Sequence, residues 1–98
     1  MGIVRLSHLA DRDLDEIRDF SAQHSPAAAN RLLDSIFETL ELLADHPFIG
    51  QTRDDILKNL RLFTVRDHVI LYFPAVEGIH VARIVRGARD FPTLFRGE

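Results

Sequence analysis

The sequence predicts one domain of the α/β (α+β) class, in which an N-terminal strand and an antiparallel helix hairpin precede a three-stranded antiparallel meander. In the first half, hydrophobic residues recur every three or four positions, as they do in amphipathic helices. The second half instead contains short β-branched and aromatic runs separated by turns. With 98 residues, 46% of them hydrophobic, we expect residues 1–98 to form a single domain around one modest core.

The first strand and the first helix are predicted within residues 2–23. Residues 2–6 favour an extended strand because they are rich in β-branched side chains. Ser7 is a suitable N-cap for a helix whose apolar face consists of Ala10, Leu14, Ile17 and Ser21. The opposite face is acidic, and we expect its carboxylates to be solvated near the positive end of the helix dipole: Asp11, Asp13, Asp15 and Glu16. A calcium loop is excluded there, because Glu16 and Ala22 stand where glycine and glutamate are needed.

A second amphipathic helix of about five turns follows a short break at residues 24–26. Ser25 is a good N-cap, and Pro26 suits the first helical position. The helix ends before Pro47. Its periodic face consists of Ala29, Leu33, Ile36, Leu40 and Leu43, supplemented by Leu32, Phe37 and Ala44. Because the link is so short, the two helices are expected to pack as an antiparallel hairpin.

The second half begins with a connector over residues 47–59, in which Phe48 and Ile49 are expected to form an apolar anchor. Three strand-like runs follow, at residues 60–65, 68–73 and 79–85. The intervening turns predict an antiparallel meander. The C-terminal residues Phe91, Leu94 and Phe95 must then pack on the domain or on a partner.

Composition excludes several classes of function. The absence of cysteine rules out disulfides and thiolate metal sites, and no apolar run approaches the roughly 18 residues that span a bilayer. We therefore expect a cytoplasmic protein without membrane association. The net charge is −3, yet residues 51–98 hold eight basic residues against six acids. An acidic chain is a poor candidate for sequence-independent nucleic-acid binding, so any such contact would be local.

Few residues indicate catalysis. The five histidines lack the spacing of a metal site, although the predicted meander leaves open an approach of His68 to His80, and with it a metal site or a general base. No glycine-rich phosphate loop or nucleophile elbow is present. No cofactor and no metal are expected.

An arginine set in the second half is the remaining feature, with Arg61 on the first meander strand, Arg83 on the third, and Arg86 and Arg89 beyond it. The two-residue period of a strand places Arg83 on the same face as Ile79, Val81 and Val85. An arginine on that partly buried face should either emerge at the end of the sheet or be paired. These cations are suited to binding a phosphate, binding the carboxylates of a partner, or forming ion pairs with their own neighbours. A structural salt bridge between Arg89 and Asp90 would be an example of the last alternative.

Five stretches follow one another along the chain: Ala10-Asp11-Arg12-Asp13-Leu14-Asp15-Glu16-Ile17, His46-Pro47-Phe48-Ile49-Gly50, Asn59-Leu60-Arg61, Val69-Ile70-Leu71-Tyr72-Phe73 and Ala82-Arg83-Ile84-Val85-Arg86-Gly87-Ala88-Arg89-Asp90. In this order they resemble the ParE branch of the RelE/ParE toxin superfamily of bacterial toxin–antitoxin systems. The resemblance implies a helix hairpin packed on a twisted antiparallel sheet, with the N-terminal strand at its edge. It also implies a cognate antitoxin of the ParD-like, ribbon-helix-helix kind, whose C-terminal segment wraps the toxin. Apolar residues such as Phe20 would suit an amphipathic partner in a groove.

Two activities divide this superfamily. RelE-like members cut messenger RNA in the ribosome with several basic residues and often a tyrosine or histidine near the C-terminus, whereas ParE-like members resemble inhibitors of DNA gyrase without a catalytic site. Here the residues after Asp90 include no Tyr, His or Lys, and Tyr72 lies in the predicted middle strand. The resemblance therefore favours gyrase as the target, with no direct DNA binding by the toxin alone. A RelE-like mRNA endonuclease and a non-toxic partner-binding relative are the alternatives.

No catalytic residue is predicted. Arg86 stands where ParE relatives usually have histidine, which is a departure from the pattern of the family. We expect target or antitoxin binding at Arg61, Arg83, Arg86, Arg89, Asp90, Phe91, Leu94 and Phe95.

Overall fold

A computed structural model of the chain describes residues 2–87. Their elements are β1 (Ile3–Leu6), α1 (His8–His24), α2 (Pro26–Asp45), β2 (Gln51–Thr52), β3 (Arg61–Val65), β4 (His68–Ala75) and β5 (Gly78–Arg86). The strands form one sheet in the order β1-β5-β4-β3-β2. The predicted strand, helix hairpin and three-stranded meander are confirmed, and β2 is an additional short strand.

Both helices begin at the predicted caps. The Ser7 hydroxyl accepts a hydrogen bond from the Ala10 N–H, and the Ser25 hydroxyl accepts one from the Ala28 N–H. Because Ser25 also terminates α1, the chain reverses at a single residue, and the two helices pack against each other as predicted.

The sheet is mixed rather than purely antiparallel. β3, β4 and β5 form the predicted antiparallel meander, while β1 joins the edge of β5 in the parallel direction. β2 pairs with the start of β3. The expected anchoring of the connector by Phe48 and Ile49 is wrong, since these side chains are 71% and 49% exposed. They point outward because hydrogen bonds to the backbone, rather than apolar burial, hold this segment.

A β-bulge in β5 changes which side chains share a face. Leu71 lies opposite Arg83, but the next residue, Tyr72, lies opposite Val81, so Ala82 has no partner on β4. This extra residue interrupts the two-residue alternation. Val85 consequently packs on the other side of the sheet from Val81, and the prediction that Arg83 shares a face with both is wrong.

The helix hairpin covers one face of the sheet, and the main core lies between them. This core contains Ala10, Leu14, Leu33, Ile36, Leu40, Leu43, Ala44, Val65, Ile70, Tyr72, Ile79, Val81 and Ile84. A smaller cluster on the opposite face contains Leu60, Val69, Leu71 and Val85. Both faces of β4 are therefore buried, which explains why its sequence is almost uniformly apolar.

Candidate functional site

A groove of about 830 Å³ lies between the helix hairpin and one end of the sheet. We call it the hairpin groove. It lies where the end of α1 and the start of α2 approach the β3–β4 turn and the end of β5. Its lining consists of Asp13, Glu16, Ile17, Phe20, Ser21, His24, Ala28, Leu32, Arg66, Asp67, His68, Arg83, Ile84, Val85 and Arg86.

An ion pair between Asp13 and Arg83 joins α1 to β5 at this groove. The Arg83 Nε and Nη2 atoms donate to the two Asp13 carboxylate oxygens at 2.8 and 3.0 Å. Oδ2 of Asp13 also accepts the Ile84 N–H at 2.9 Å. Asp13 is only 7% exposed, so the prediction that it lies on a solvated helix face is wrong. The alternative that Arg83 is paired is confirmed.

The edge of β5 explains why Asp13 is buried. β1 pairs with only the first part of β5, as far as Val81, and α1 takes over the edge beyond it. There Ser7 donates its hydroxyl to the Ala82 carbonyl, and Asp13 accepts the Ile84 N–H. The carboxylate of Asp13 thus caps a strand edge that none of the described strands covers.

Two further arginines line the groove. Arg86 is exposed, and its guanidinium carbon lies 5.8 Å from the centroid of the half-exposed Phe20 ring, a cation–π distance. Arg66 follows β3 in the turn, and its Nε donates to the Ser35 hydroxyl at 3.0 Å. The groove therefore combines an apolar wall from the helices with cations from the turn and β5.

His68 also lines the groove, although it is not among the predicted binding residues. It is 6% exposed and lies opposite Arg86 in the β4–β5 register. Its Nδ1 atom is buried and has no hydrogen-bond partner among residues 2–87. Burial lowers the pKa of His68, and the nearby Arg86 charge lowers it further while Asp67 opposes this. His68 is thus mainly neutral at pH 7.

The approach of His68 to His80, which the sequence left open, does not occur. His80 lies opposite Phe73, near the other end of the β4–β5 pair, because the meander aligns the beginning of one strand with the end of the next. Within residues 2–87, no three His, Cys, Asp or Glu residues are placed to hold a metal ion.

Arg61 lies outside the hairpin groove and holds the connector instead. Its Nη1 donates to the carbonyls of Phe48 and Gly50 at 2.9 and 2.7 Å. The Tyr72 hydroxyl donates to the Pro47 carbonyl at 2.7 Å and accepts the Gly50 N–H at 3.0 Å. Burial raises the pKa of Tyr72. These four hydrogen bonds fix the stretch after α2, so Arg61 and Tyr72 both have structural roles.

Of the eight predicted binding residues, the structure brings only Arg83 and Arg86 together at the hairpin groove. Arg89, Asp90, Phe91, Leu94 and Phe95 lie outside the described residues, so their roles remain predictions. Asp13 had a detectable signal in the sequence. It stands three residues after Ala10 and four before Ile17, which places it beside the apolar face of α1.

Comparisons with known proteins identify this architecture. The profile of a family described as the ParE toxin of the type II toxin–antitoxin system parDE matches residues 4–91. A solved structure titled "Chromosomal ParDE TA system from P. aeruginosa" has the same fold, with a TM-score of 0.74 and 22% identity over 90% of this chain and 98% of that chain.

Three proteins of Caulobacter vibrioides are also similar to this chain. Toxin RelE2 is 35% identical over 79% of this chain and 85% of its own length. Toxin RelE3 is 31% identical, with coverage of 86% and 92%. Toxin ParE3 is 30% identical, with coverage of 89% and 88%.

The fold and the sequence relationships define a toxin of a type II toxin–antitoxin system. Within that class, the chain belongs to the ParE toxin family of the RelE/ParE superfamily. Membership implies an antitoxin partner. No helix among residues 2–87 is long and apolar enough to cross a membrane.

Proposed function

We propose that this toxin inhibits DNA gyrase by binding it, and that a cognate ParD-like ribbon-helix-helix antitoxin prevents this. The toxin would act in the cytoplasm, without binding DNA by itself. The observation that carries the proposal is the engagement of Tyr72, Arg61 and Arg83 in structural contacts. Tyr72, the single tyrosine of the chain, is fully buried and hydrogen-bonded to Pro47 and Gly50 at the start of the connector.

The contacts of Arg61 and Arg83 also favour a binding role over a catalytic one. Cleavage of RNA requires a positioned base and cations that meet the phosphate in the transition state. Arg61 is directed at backbone carbonyls and Arg83 is matched by Asp13, so neither is arranged around a phosphate-sized space. A binding role fits this arrangement better than a catalytic one.

The hairpin groove is the surface that we assign to these partners. Its apolar wall, with Ile17 and Phe20, suits the apolar side of an amphipathic segment, and Arg86 at its rim suits an acidic one. Antitoxin and target would then compete for neighbouring surfaces. We keep Arg89, Asp90, Phe91, Leu94 and Phe95 as further contact residues within this proposal.

Supercoiling of relaxed plasmid by purified gyrase tests the proposal. Micromolar toxin should abolish supercoiling, and stoichiometric antitoxin should restore it. Replacing Arg86 by Gln should weaken inhibition about tenfold, because arginine is enriched among the interface residues whose truncation costs more than about 1 kcal/mol. Arg18→Gln is the matched control, since Arg18 is an exposed arginine of α1 paired with Asp15 outside the groove lining. Full supercoiling at micromolar wild-type toxin would exclude gyrase as the target.

Ribosome-dependent cleavage of messenger RNA is the second candidate, favoured by the names of Toxin RelE2 and Toxin RelE3. Its test is transcript integrity in translating ribosome complexes that receive the same toxin preparation. New cleavage sites, absent without ribosomes, would establish it in place of gyrase inhibition. A non-toxic, partner-binding relative is the third candidate, and normal growth on expression without antitoxin would favour it.

A further inference from the structure

We propose that the hairpin groove contains a carboxylate-binding site formed by His68 and Arg86, and that an acidic side chain of the antitoxin occupies it. The Nδ1 atom of His68 would donate the hydrogen bond, and the guanidinium of Arg86 would supply the charge. This inference rests on the proposed antitoxin partnership and specifies the chemistry that the partner presents.

The unpartnered Nδ1 atom is the first observation. Buried polar side-chain atoms nearly always have a hydrogen-bond partner, because losing water without a replacement costs free energy. His68 lines the groove, is 6% exposed, and leaves Nδ1 unsatisfied. Its position on β4 matches those of Ile70 and Tyr72, two and four residues later, so it lies on the helix-facing side of the sheet. Because Nδ1 has almost no accessible surface, a ligand in the groove reaches this atom only when a neighbouring side chain moves aside.

The charges around His68 favour an anion. Arg86 faces it across the strand pair, and Arg66 stands in the adjoining turn. A guanidinium has five N–H donors, so existing contacts of these arginines do not prevent further ones. A cationic donor from a partner would instead be repelled by them. Neutral imidazole can donate from Nδ1, and a carboxylate is the acceptor that gains most from a nearby cation.

The other ionisable groups at the groove leave this arrangement in place. Asp13 is engaged with Arg83, and Glu16 and Asp67 lie on exposed positions where water screens them. His24 is turned back on its own helix, where its Nδ1 meets the Phe20 carbonyl at 3.0 Å. Asp67 opposes an incoming carboxylate, which is why the proposal requires both His68 and Arg86.

The apolar wall indicates what carries the carboxylate. Ile17, Phe20 and Leu32 line the groove beside His68, so the anion must arrive on an apolar segment. A volume of about 830 Å³ accepts several side chains but not a folded domain. An amphipathic antitoxin segment with one inward Asp or Glu meets both requirements.

A double-mutant cycle between toxin and antitoxin tests the inference. Each Asp and Glu in the C-terminal half of the cognate antitoxin is replaced by Asn or Gln, and affinity is measured by calorimetry. One replacement should weaken binding at least tenfold to wild-type toxin, yet hardly at all to His68→Phe. His68→Asn should retain most of the affinity, because its amide nitrogen lies near the position of Nδ1. His80→Phe is the matched control, since His80 is exposed at the other end of the strand pair.

If every acidic replacement weakens binding to His68→Phe as much as to wild type, the inference is wrong. A second arm tests the site without the antitoxin. Full-length toxin labelled with ¹⁵N-histidine is titrated with 4-phenylbutyrate and, separately, with 4-phenylbutyramide. The acid should shift the His68 ring resonances saturably at millimolar concentration, and the amide should not.

Equal effects of acid and amide, or none from the acid, would overturn the carboxylate assignment even if the antitoxin binds. A gyrase result that contradicts the proposed function leaves these titrations unaffected, so the two failures are distinguishable. A shift by the acid without an acid-specific antitoxin effect would assign the site to a free small carboxylate and overturn the antitoxin as its occupant.

Discussion

The Asp13–Arg83 pair supports a quantitative prediction, because replacing Asp13 by Asn changes charge and hydrogen bonding with almost no change in volume. The carboxylate accepts three hydrogen bonds, two from Arg83 and one from the Ile84 N–H. An amide has one acceptor oxygen, so at least one of these donors loses its partner. The guanidinium of Arg83 also loses its counter-charge.

Removing one partner of a buried ion pair costs about 3–5 kcal/mol. The Arg83 side chain is 18% exposed, so water recovers part of that loss. We therefore expect Asp13→Asn to lower the free energy of unfolding by about 2–4 kcal/mol, a large share of the 5–15 kcal/mol typical of a small domain.

Urea unfolding followed by circular dichroism measures this change. Asp11→Asn is the control, because Asp11 is an exposed acid in the first turn of the same helix. It should change stability by no more than about 1 kcal/mol, through the helix dipole. A double variant, Asp13→Asn with Arg83→Met, should be more stable than Asp13→Asn alone, since no uncompensated charge remains. If Asp13→Asn and Asp11→Asn are equally stable, the buried pair does not hold α1 to β5 as described.

Three further predictions concern single side chains. Tyr72 is the only tyrosine, and burial raises its pKa, so phenolate absorbance should appear only above pH 10.0, the ordinary value, and together with unfolding. The reason is that the stability contributed by the protonated Tyr72 is lost as pH rises through its folded pKa. Phenolate at or below pH 10.0 in folded protein would contradict this. Because the pKa of His68 is lowered, the stability that the neutral ring contributes above pH 6.5 is lost as pH falls through the folded pKa. The urea midpoint of the wild type should therefore fall more steeply with decreasing pH than that of His68→Phe. Parallel plots of midpoint against pH would refute this prediction. Gly50→Ala should cost about 1–3 kcal/mol in urea unfolding, because its Cβ would overlap the Tyr72 hydroxyl, and the double variant with Tyr72→Phe should show less than the sum of the two losses.

The regular elements were predictable from the sequence because each has a local cause. Ser7 and Ser25 mark the helix starts through their own hydroxyls, and the strand runs are β-branched over consecutive residues. The family resemblance correctly placed β1 at an edge of the sheet, a long-range pairing that local patterns do not contain. β1 pairs there with β5, and the two strands run in the same direction.

The errors at the site have a common origin in tertiary geometry. Among the acids of α1, only Asp13 meets the uncovered edge of β5, a contact that depends on how α1 packs on the sheet. The alternation of β5 is interrupted at Ala82, and no glycine or proline marks that bulge. Phe48 and Ile49 were expected to be buried because they are apolar, whereas side chains of Arg61 and Tyr72 fix their loop through its backbone.

The position of β5 between β1 and β4 also affects how the toxin is made. Of the described elements, β1 is synthesised first and its partner Gly78–Arg86 last. Pairing of Ile3 with Gly78 closes a loop of more than seventy residues, and such distant contacts slow folding. The groove walls at α1 and at Arg86 are likewise joined only when β5 is in place. A nascent chain therefore exposes no assembled hairpin groove until β5 has been synthesised.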